Sequence, residues 1–189
     1  MSFLNEKKQF LAKPDKSSAG ETDKAILPLI KAINLLENYY TTSSCAGRII
    51  LIKEKGKKQK AAFLFRSHET VNFNKIKNAL ENTVKKTNET IYFKHEPAIL
   101  HVSCSSIVKA QELVNVAREC GWKKSGIIAS KNKMIVELVS VEQLATPVAI
   151  NSKIIITETY LKILVSEANN KLLLTRKKIK RLENLIKNK

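Results

Sequence analysis

Thr41-Thr42-Ser43-Ser44-Cys45-Ala46-Gly47-Arg48 joins two apolar segments with a dense run of small polar side chains. Before it, Leu35-Leu36-Glu37-Asn38-Tyr39-Tyr40 closes a helical pattern. After it, Ile49-Ile50-Leu51-Ile52 reads as a buried strand. The stretch is therefore expected to be a loop held between a helix and a sheet. Such a loop is either a helix stop whose Ser and Thr side chains satisfy nearby backbone groups, or a binding loop on a rigid frame. The residues alone leave both readings open.

Working upstream, Ile26, Leu29, Ile30, Ile33, Leu35 and Leu36 predict a helix starting at Asp23, with Pro28 in its first turns, where proline is best tolerated. Residues 1–22 are polar and expected to be loosely ordered or draped on the surface. Downstream, Arg48 to Lys53 and Ala61 to Ser67 read as strands joined by a turn at residues 54–60. A helix is expected over Asn72 to Lys86, then strands at Thr90 to His95 and Ala98 to Cys104, separated by Glu96-Pro97. A second helix over Ser106 to Cys120 precedes strands at Lys124 to Ser130 and Lys133 to Val139. The two helices begin about thirty-four residues apart, each followed by two strands, a duplication. The expectation is an α+β fold in which duplicated αββ units form a mixed β-sheet with packed helices.

Leu144 to Asn151, which holds Pro147, reads as a loop, and a short strand at Lys153 to Ile156 leads to Thr157, a helix cap. The final helix carries Leu161, Leu164, Val165, Ala168 and Leu172, then Leu174, Ile179, Leu182 and Ile186 among many Lys and Arg residues. The chain is read as a single domain over 1–189 ending in a long basic helix at 157–189.

Charge limits the possible partners. The 189 residues hold 34 Lys and Arg against 17 Asp and Glu, a net charge of +17. Such an excess suits a polyanion, either nucleic acid or an anionic membrane, although solvated lysines in a chain rich in Lys, Asn and Ile are the plain alternative. No apolar run is long enough to span a bilayer, and the first residues lack the apolar centre of a signal peptide. The expectation is a soluble cytoplasmic protein with no membrane partner. Cys45, Cys104 and Cys120 show no CxxC spacing, which argues for reduced thiols and against a metal site. Dinucleotide-type glycine fingerprints, phosphate loops and His-Glu-x-x-His motifs are absent.

Three polar clusters fall at strand ends: residues 43–48, Lys94-His95-Glu96-Pro97 with His101 nearby, and Gly121 to Gly126. Strand alternation turns His101 to the face opposite Leu100 and Val102. It is either a structural histidine or a proton acceptor. Cys45 activated by His101 is a further possibility, set against simple packing of a lone thiol.

Tyr39-Tyr40-Thr41-Thr42-Ser43-Ser44-Cys45-Ala46-Gly47-Arg48-Ile49 resembles the signature of the tRNA wybutosine-synthesising N4-methyltransferase family. Further matches follow in order: Asp15-Lys16-Ser17, Lys94 with Glu96-Pro97, Leu100-His101-Val102, Gly121-Trp122-Lys123-Lys124-Ser125-Gly126-Ile127, Pro147, and Thr157-Glu158 through Ala168-Asn169. The resemblance implies an S-adenosylmethionine-dependent enzyme, not of the Rossmann type, that methylates a tricyclic guanosine derivative beside the anticodon of phenylalanine tRNA. It points to Ser43, Ser44, Cys45, Gly47, Arg48, Lys94, Ser125 and Gly126 as cofactor-binding residues and to His101 and Glu96 as proton acceptors. The chain departs from the pattern at Thr146, where an acid is expected. Lys53, Lys55, Lys57, Lys58 and Lys60 suit tRNA phosphates. Trp122, Tyr92 and Phe93 are candidates for stacking on the base or for core packing. A non-catalytic RNA-binding module is the alternative function.

Overall fold

A computed structural model describes residues 2–13, 23–53 and 62–188. Along the chain come α1 (Phe3–Leu11), α2 (Leu27–Leu35), β1 (Tyr39–Cys45), β2 (Arg48–Lys53), β3 (Ala62–Ser67), α3 (Phe73–Val84), β4 (Ile91–Glu96) and β5 (Ile99–Cys104). They are followed by α4 (Ile107–Glu119), β6 (Gly126–Ala129), β7 (Met134–Val139), β8 (Leu144–Ile150), β9 (Lys153–Ile154) and α5 (Glu158–Lys187). The residues assemble as two compact units. The first comprises Met1–Ala46, Ala98–Val141 and Thr175–Lys189, and the second Gly47–Pro97 and Glu142–Leu174.

The α+β class and the long C-terminal helix are as expected. The strands, however, form two sheets, β1-β5-β7-β6 in the first unit and β3-β2-β4-β8-β9 in the second, and every neighbouring pair is antiparallel rather than mixed. Chain neighbours β4 and β5 belong to different sheets. Pro97 between them has no N–H to continue a ladder. The duplication is present in a shifted frame: β3-α3-β4 encloses β2 and β5-α4-β6 encloses β7, so each unit holds a split β-α-β.

The expected loop at 41–45 is a strand. β1 pairs with β5 from Tyr39 opposite Cys104 to Cys45 opposite Ile99, with a bulge between Thr41 and Ser43. Tyr and Thr suit a pleated surface, and a partner about sixty residues away fixes them there. The bend falls at Ala46-Gly47, where Gly47 has φ 87°, a left-handed conformation that a side chain would oppose.

The N-terminal segment includes a helix with no buried residue. α1 is a helix capped by Ser2, whose hydroxyl accepts from the Asn5 amide. Phe3 and Phe10 lie against Tyr40, and Lys7 donates to the Leu36 carbonyl at 2.6 Å. Helix α2 begins at Leu27 rather than Asp23, with Pro28 in its first turn. Residues 14–22 and 54–61, with Asp15-Lys16-Ser17 and the lysines at 55, 57, 58 and 60, lie outside the described residues.

Residues 144–150 are a strand, not a loop. Pro147 is tolerated because β9 pairs only with Ala149 and Ile150, leaving that stretch of β8 unpaired on one side among the described strands. Asn151 and Ser152, at φ 49° and 60°, make the two-residue turn between them. Asn72, Ser106 and Thr157 each accept an amide at a helix start, contributing about 1 kcal/mol apiece.

The first unit's core holds Leu100, Val102, Ala110, Leu113, Trp122, Val136 and Leu138; the second's holds Ile49, Leu51, Ile76, Leu80, Ile91 and Phe93. Helix α5 supplies both. Leu161, Leu164, Val165, Ala168 and Leu172 join the second core, and Ile179, Leu182 and Ile186 the first. Buried Thr175 takes the place expected of Leu174, which is exposed. Leu172 to Thr175 is a helical i,i+3 step, so the stripe passes through the hydroxyl residue and leaves Leu174 off its face.

Candidate active site

In the first unit, Ser43 lies opposite His101 on β5, His101 opposite Glu137 on β7, and Glu137 opposite Gly126 on β6. One row thus crosses all four strands. Cross-strand partners share a face; Leu100 and Val102 point into the core, so the row points out. The His101 Nδ1 is 2.7 Å from Ser43 Oγ, and its Nε2 is 2.8 Å from Glu137 Oε2. An ionised carboxylate only accepts, so in the neutral imidazole Nε2 carries the proton and Nδ1 accepts from the serine hydroxyl. Ser43 is exposed, whereas the His101 and Glu137 side chains are about one-third exposed. The solvent-facing end of the chain is a hydroxyl with an imidazole behind it.

The structure thereby joins three residues singled out in the sequence, Ser43, His101 and Gly126, and adds Glu137, which sequence reasoning missed. A Cβ built on Gly126 meets nothing within 4 Å, so the end of the row is open. Ser125 serves a different purpose. It is buried, donates to the Trp122 carbonyl at 2.6 Å and accepts from the Val139 amide at 3.1 Å, holding β7 in place. Ser44 and Cys45 lie opposite Leu100 and Ile99. Both His101 nitrogens are engaged by Ser43 and Glu137, so His101 is not paired with Cys45 as a thiol activator.

The end of β1 is held by two further residues that the sequence reading passed over. Asp23 Oδ2 accepts from the Ala46 amide at 3.2 Å, and Arg176 Nη1 donates to the Ala46 carbonyl at 2.7 Å. At its other end, Tyr40 donates to Glu6 at 2.7 Å, and Glu6 pairs with Lys133. Lys133 and the Tyr40 hydroxyl hold the Glu6 carboxyl below its ordinary range. Burial raises the Tyr39 phenol to about 12, aided by Glu112, and its hydroxyl donates to the Lys109 carbonyl.

The second unit carries the other group of expected site residues. Arg48 lies opposite Glu96, and its Nε donates to the carboxylate at 2.6 Å. The expected proton acceptor Glu96 is therefore committed to the expected anion-binding arginine. Stacking against Phe63, 4.7 Å from the ring centroid, also fixes the guanidinium. Its two Nη groups have no hydrogen-bond partner among the described residues. Lys94 shares the face of Glu96 and lies 4.9 Å over Tyr92. Thr146 is opposite core residue Phe93, on the other face of the sheet, so the departure noted there leaves the Arg48 face unchanged.

Of the three aromatic candidates, Trp122 and Phe93 are fully buried in the two cores, and Tyr92 is half-buried. Lys53 pairs with Glu89 at 3.0 Å. Asn169, within the last matching motif, exchanges two hydrogen bonds with the Val71 backbone. Among the described residues, no helix is long and apolar enough to cross a membrane.

The sequence profile of the family described as methyltransferase TYW3 matches residues 5–188. A Thermococcus sibiricus protein named tRNA(Phe) 7-((3-amino-3-carboxypropyl)-4-demethylwyosine(37)-N(4))-methyltransferase is 36% identical over 186 residues, covering 97% of this chain and 93% of its own. The human tRNA wybutosine-synthesizing protein 3 homolog is 32% identical over 191 residues, covering 97% of this chain and 72% of its own. A solved Pyrococcus horikoshii structure superposes with a TM-score of 0.89 at 35% identity, covering 98% of this chain and 96% of that one. With the signature residues placed as described and a profile match along nearly its whole length, the chain belongs to the TYW3 methyltransferase family.

Proposed function

We propose that this protein transfers a methyl group from S-adenosylmethionine to N4 of the tricyclic wyosine-type base beside the anticodon of phenylalanine tRNA, in the cytoplasm. The names of its relatives supply the substrate class, and the Ser43–His101–Glu137 chain is the observation that carries the chemistry. When bound, the cofactor supplies an electrophilic methyl on a sulfonium that leaves as a neutral thioether. The nitrogen that gains the methyl must lose its proton. Ser43 Oγ can take that proton while passing its own to His101 Nδ1, and Glu137 stabilises the resulting imidazolium, the logic of a hydroxyl–imidazole–carboxylate relay.

The donor set suits a carboxylate-bearing cofactor. Arg48 is oriented by Glu96 and Phe63 and keeps its two Nη groups for a bidentate acceptor. Gly47 and Lys94 of the second unit remain candidates for the rest of that contact; Ser44, Cys45 and Gly126 remain candidate cofactor-binding residues of the first unit, whose sheet Ser125 supports. The test is mass spectrometry of nucleosides after incubating the protein with the cofactor and precursor tRNA. One added methyl on the tricyclic base is expected. An unmodified base, with calorimetry showing no cofactor uptake, would leave only a non-catalytic RNA binder.

A further inference from the structure

We propose that the outward face of β2 and β3 holds an unpaired nucleotide of an RNA substrate, its base stacked on Phe63 and its phosphate on Arg66. The inference rests on the reading above that RNA is the substrate, and it names where an RNA element docks. Phe65 lies opposite core residue Leu51, whereas Phe63 is opposite Ile52 and Arg66 opposite Ile50, with a bulge between the two pairs. That register turns Phe63 and Arg66 to the face away from the core formed by Ile49, Leu51 and Phe93.

Two guanidinium groups lie against the Phe63 ring, Arg48 at 4.7 Å and Arg66 at 5.8 Å from its centroid. Even so, Phe63 is 45% exposed and Arg66 is exposed. The pattern continues on β4 with Lys94 over Tyr92. Among the described residues, Arg48 and Arg66 flank the ring and only Arg48 is paired with a carboxylate, Glu96, so the surface favours an anion. A single ring set among charges is too small an apolar area to enter a membrane. A base-paired duplex offers no free base face, whereas an unpaired nucleotide presents a flat π-surface beside a phosphate, which aromatic and Arg side chains hold together.

The experiment measures fluorescence anisotropy of a labelled RNA hairpin with an unpaired loop, and of a blunt duplex of the same length, with the wild-type protein and with Phe63→Leu, Phe63→Trp and Arg66→Gln. Thermal melting confirms that each variant is folded. Phe63→Leu should weaken hairpin binding about 5- to 150-fold, the range of one lost base–aromatic stack. Phe63→Trp should retain binding. Arg66→Gln should reduce the slope of log affinity against log salt by about one. Calorimetric affinity for S-adenosylmethionine should not change in Arg66→Gln. Hairpin affinity within twofold of wild type in both variants overturns the proposal. So does a loss confined to cofactor affinity, which would assign the ring to the adenosyl group. Loss of hairpin binding by a protein that never methylates the base would sink the proposed function and leave this surface standing.

Discussion

Replacing Glu137 with Ala tests the relay at the residue least visible in the sequence. Glu137 sits 2.8 Å from His101 Nε2 and defines which ring nitrogen faces Ser43. Without it, Nδ1 can carry the proton, and the group behind Ser43 changes from acceptor to donor. A hydrogen bond to a charged group contributes about 1.5–3 kcal/mol, so the methyl-transfer rate at saturating cofactor and tRNA should fall roughly 10- to 150-fold. Stability should change little, because the pair is about one-third exposed on both sides and such pairs contribute at most about 1 kcal/mol. Glu137→Gln should fall between wild type and Ala, since its carbonyl still accepts from Nε2 without the charge. The assay is single-turnover methylation followed by nucleoside mass spectrometry, with nitrogen-15 NMR of His101 reporting the tautomer. A wild-type rate in Glu137→Ala, or an unchanged tautomer, would refute the relay.

Arg48→Ala removes the fork beside Glu96 and should raise the Michaelis constant for cofactor or tRNA by the equivalent of about 2 kcal/mol; steady-state kinetics checks it, and unchanged constants remove Arg48 from the site. Arg176→Met takes the donor from the Ala46 carbonyl and should lower stability by about 1.5 kcal/mol, read as a shift in urea midpoint. Because Lys133 and Tyr40 depress the Glu6 carboxyl, its contribution to holding α1 is complete above the ordinary value of 4.5 and is lost as pH falls through the lower folded value. Amide protection factors in Phe3–Leu11, corrected for the intrinsic exchange rate at each pH, should therefore fall only on acidification past that value. Burial pushes the Cys104 thiol up to about 12 and raises that of Cys120, while Cys45 is half-buried. Iodoacetamide at pH 8 should label Cys45 in the native protein and all three cysteines in urea, which peptide mass spectrometry resolves.

Elements whose signals are local were legible in the order of residues alone. Helices α3, α4 and α5 follow from apolar spacing and from the caps Asn72, Ser106 and Thr157, because a helix satisfies its own backbone within a few residues. The outward turn of His101 followed from strand alternation alone. The family and its signature residues were also legible. Tertiary structure decided what depends on distant partners. Tyr39–Cys45 is extended because β5 supplies its hydrogen bonds, and Pro147 sits in a strand because β9 is short enough to leave it room. Glu137 becomes the companion of His101 only when β5 and β7 align in register, a pairing between residues 36 apart that no local pattern encodes. Strand alternation sets which face a side chain takes, whereas the choice of neighbour is made by the sheet as a whole, and in this protein that choice assembles the candidate site.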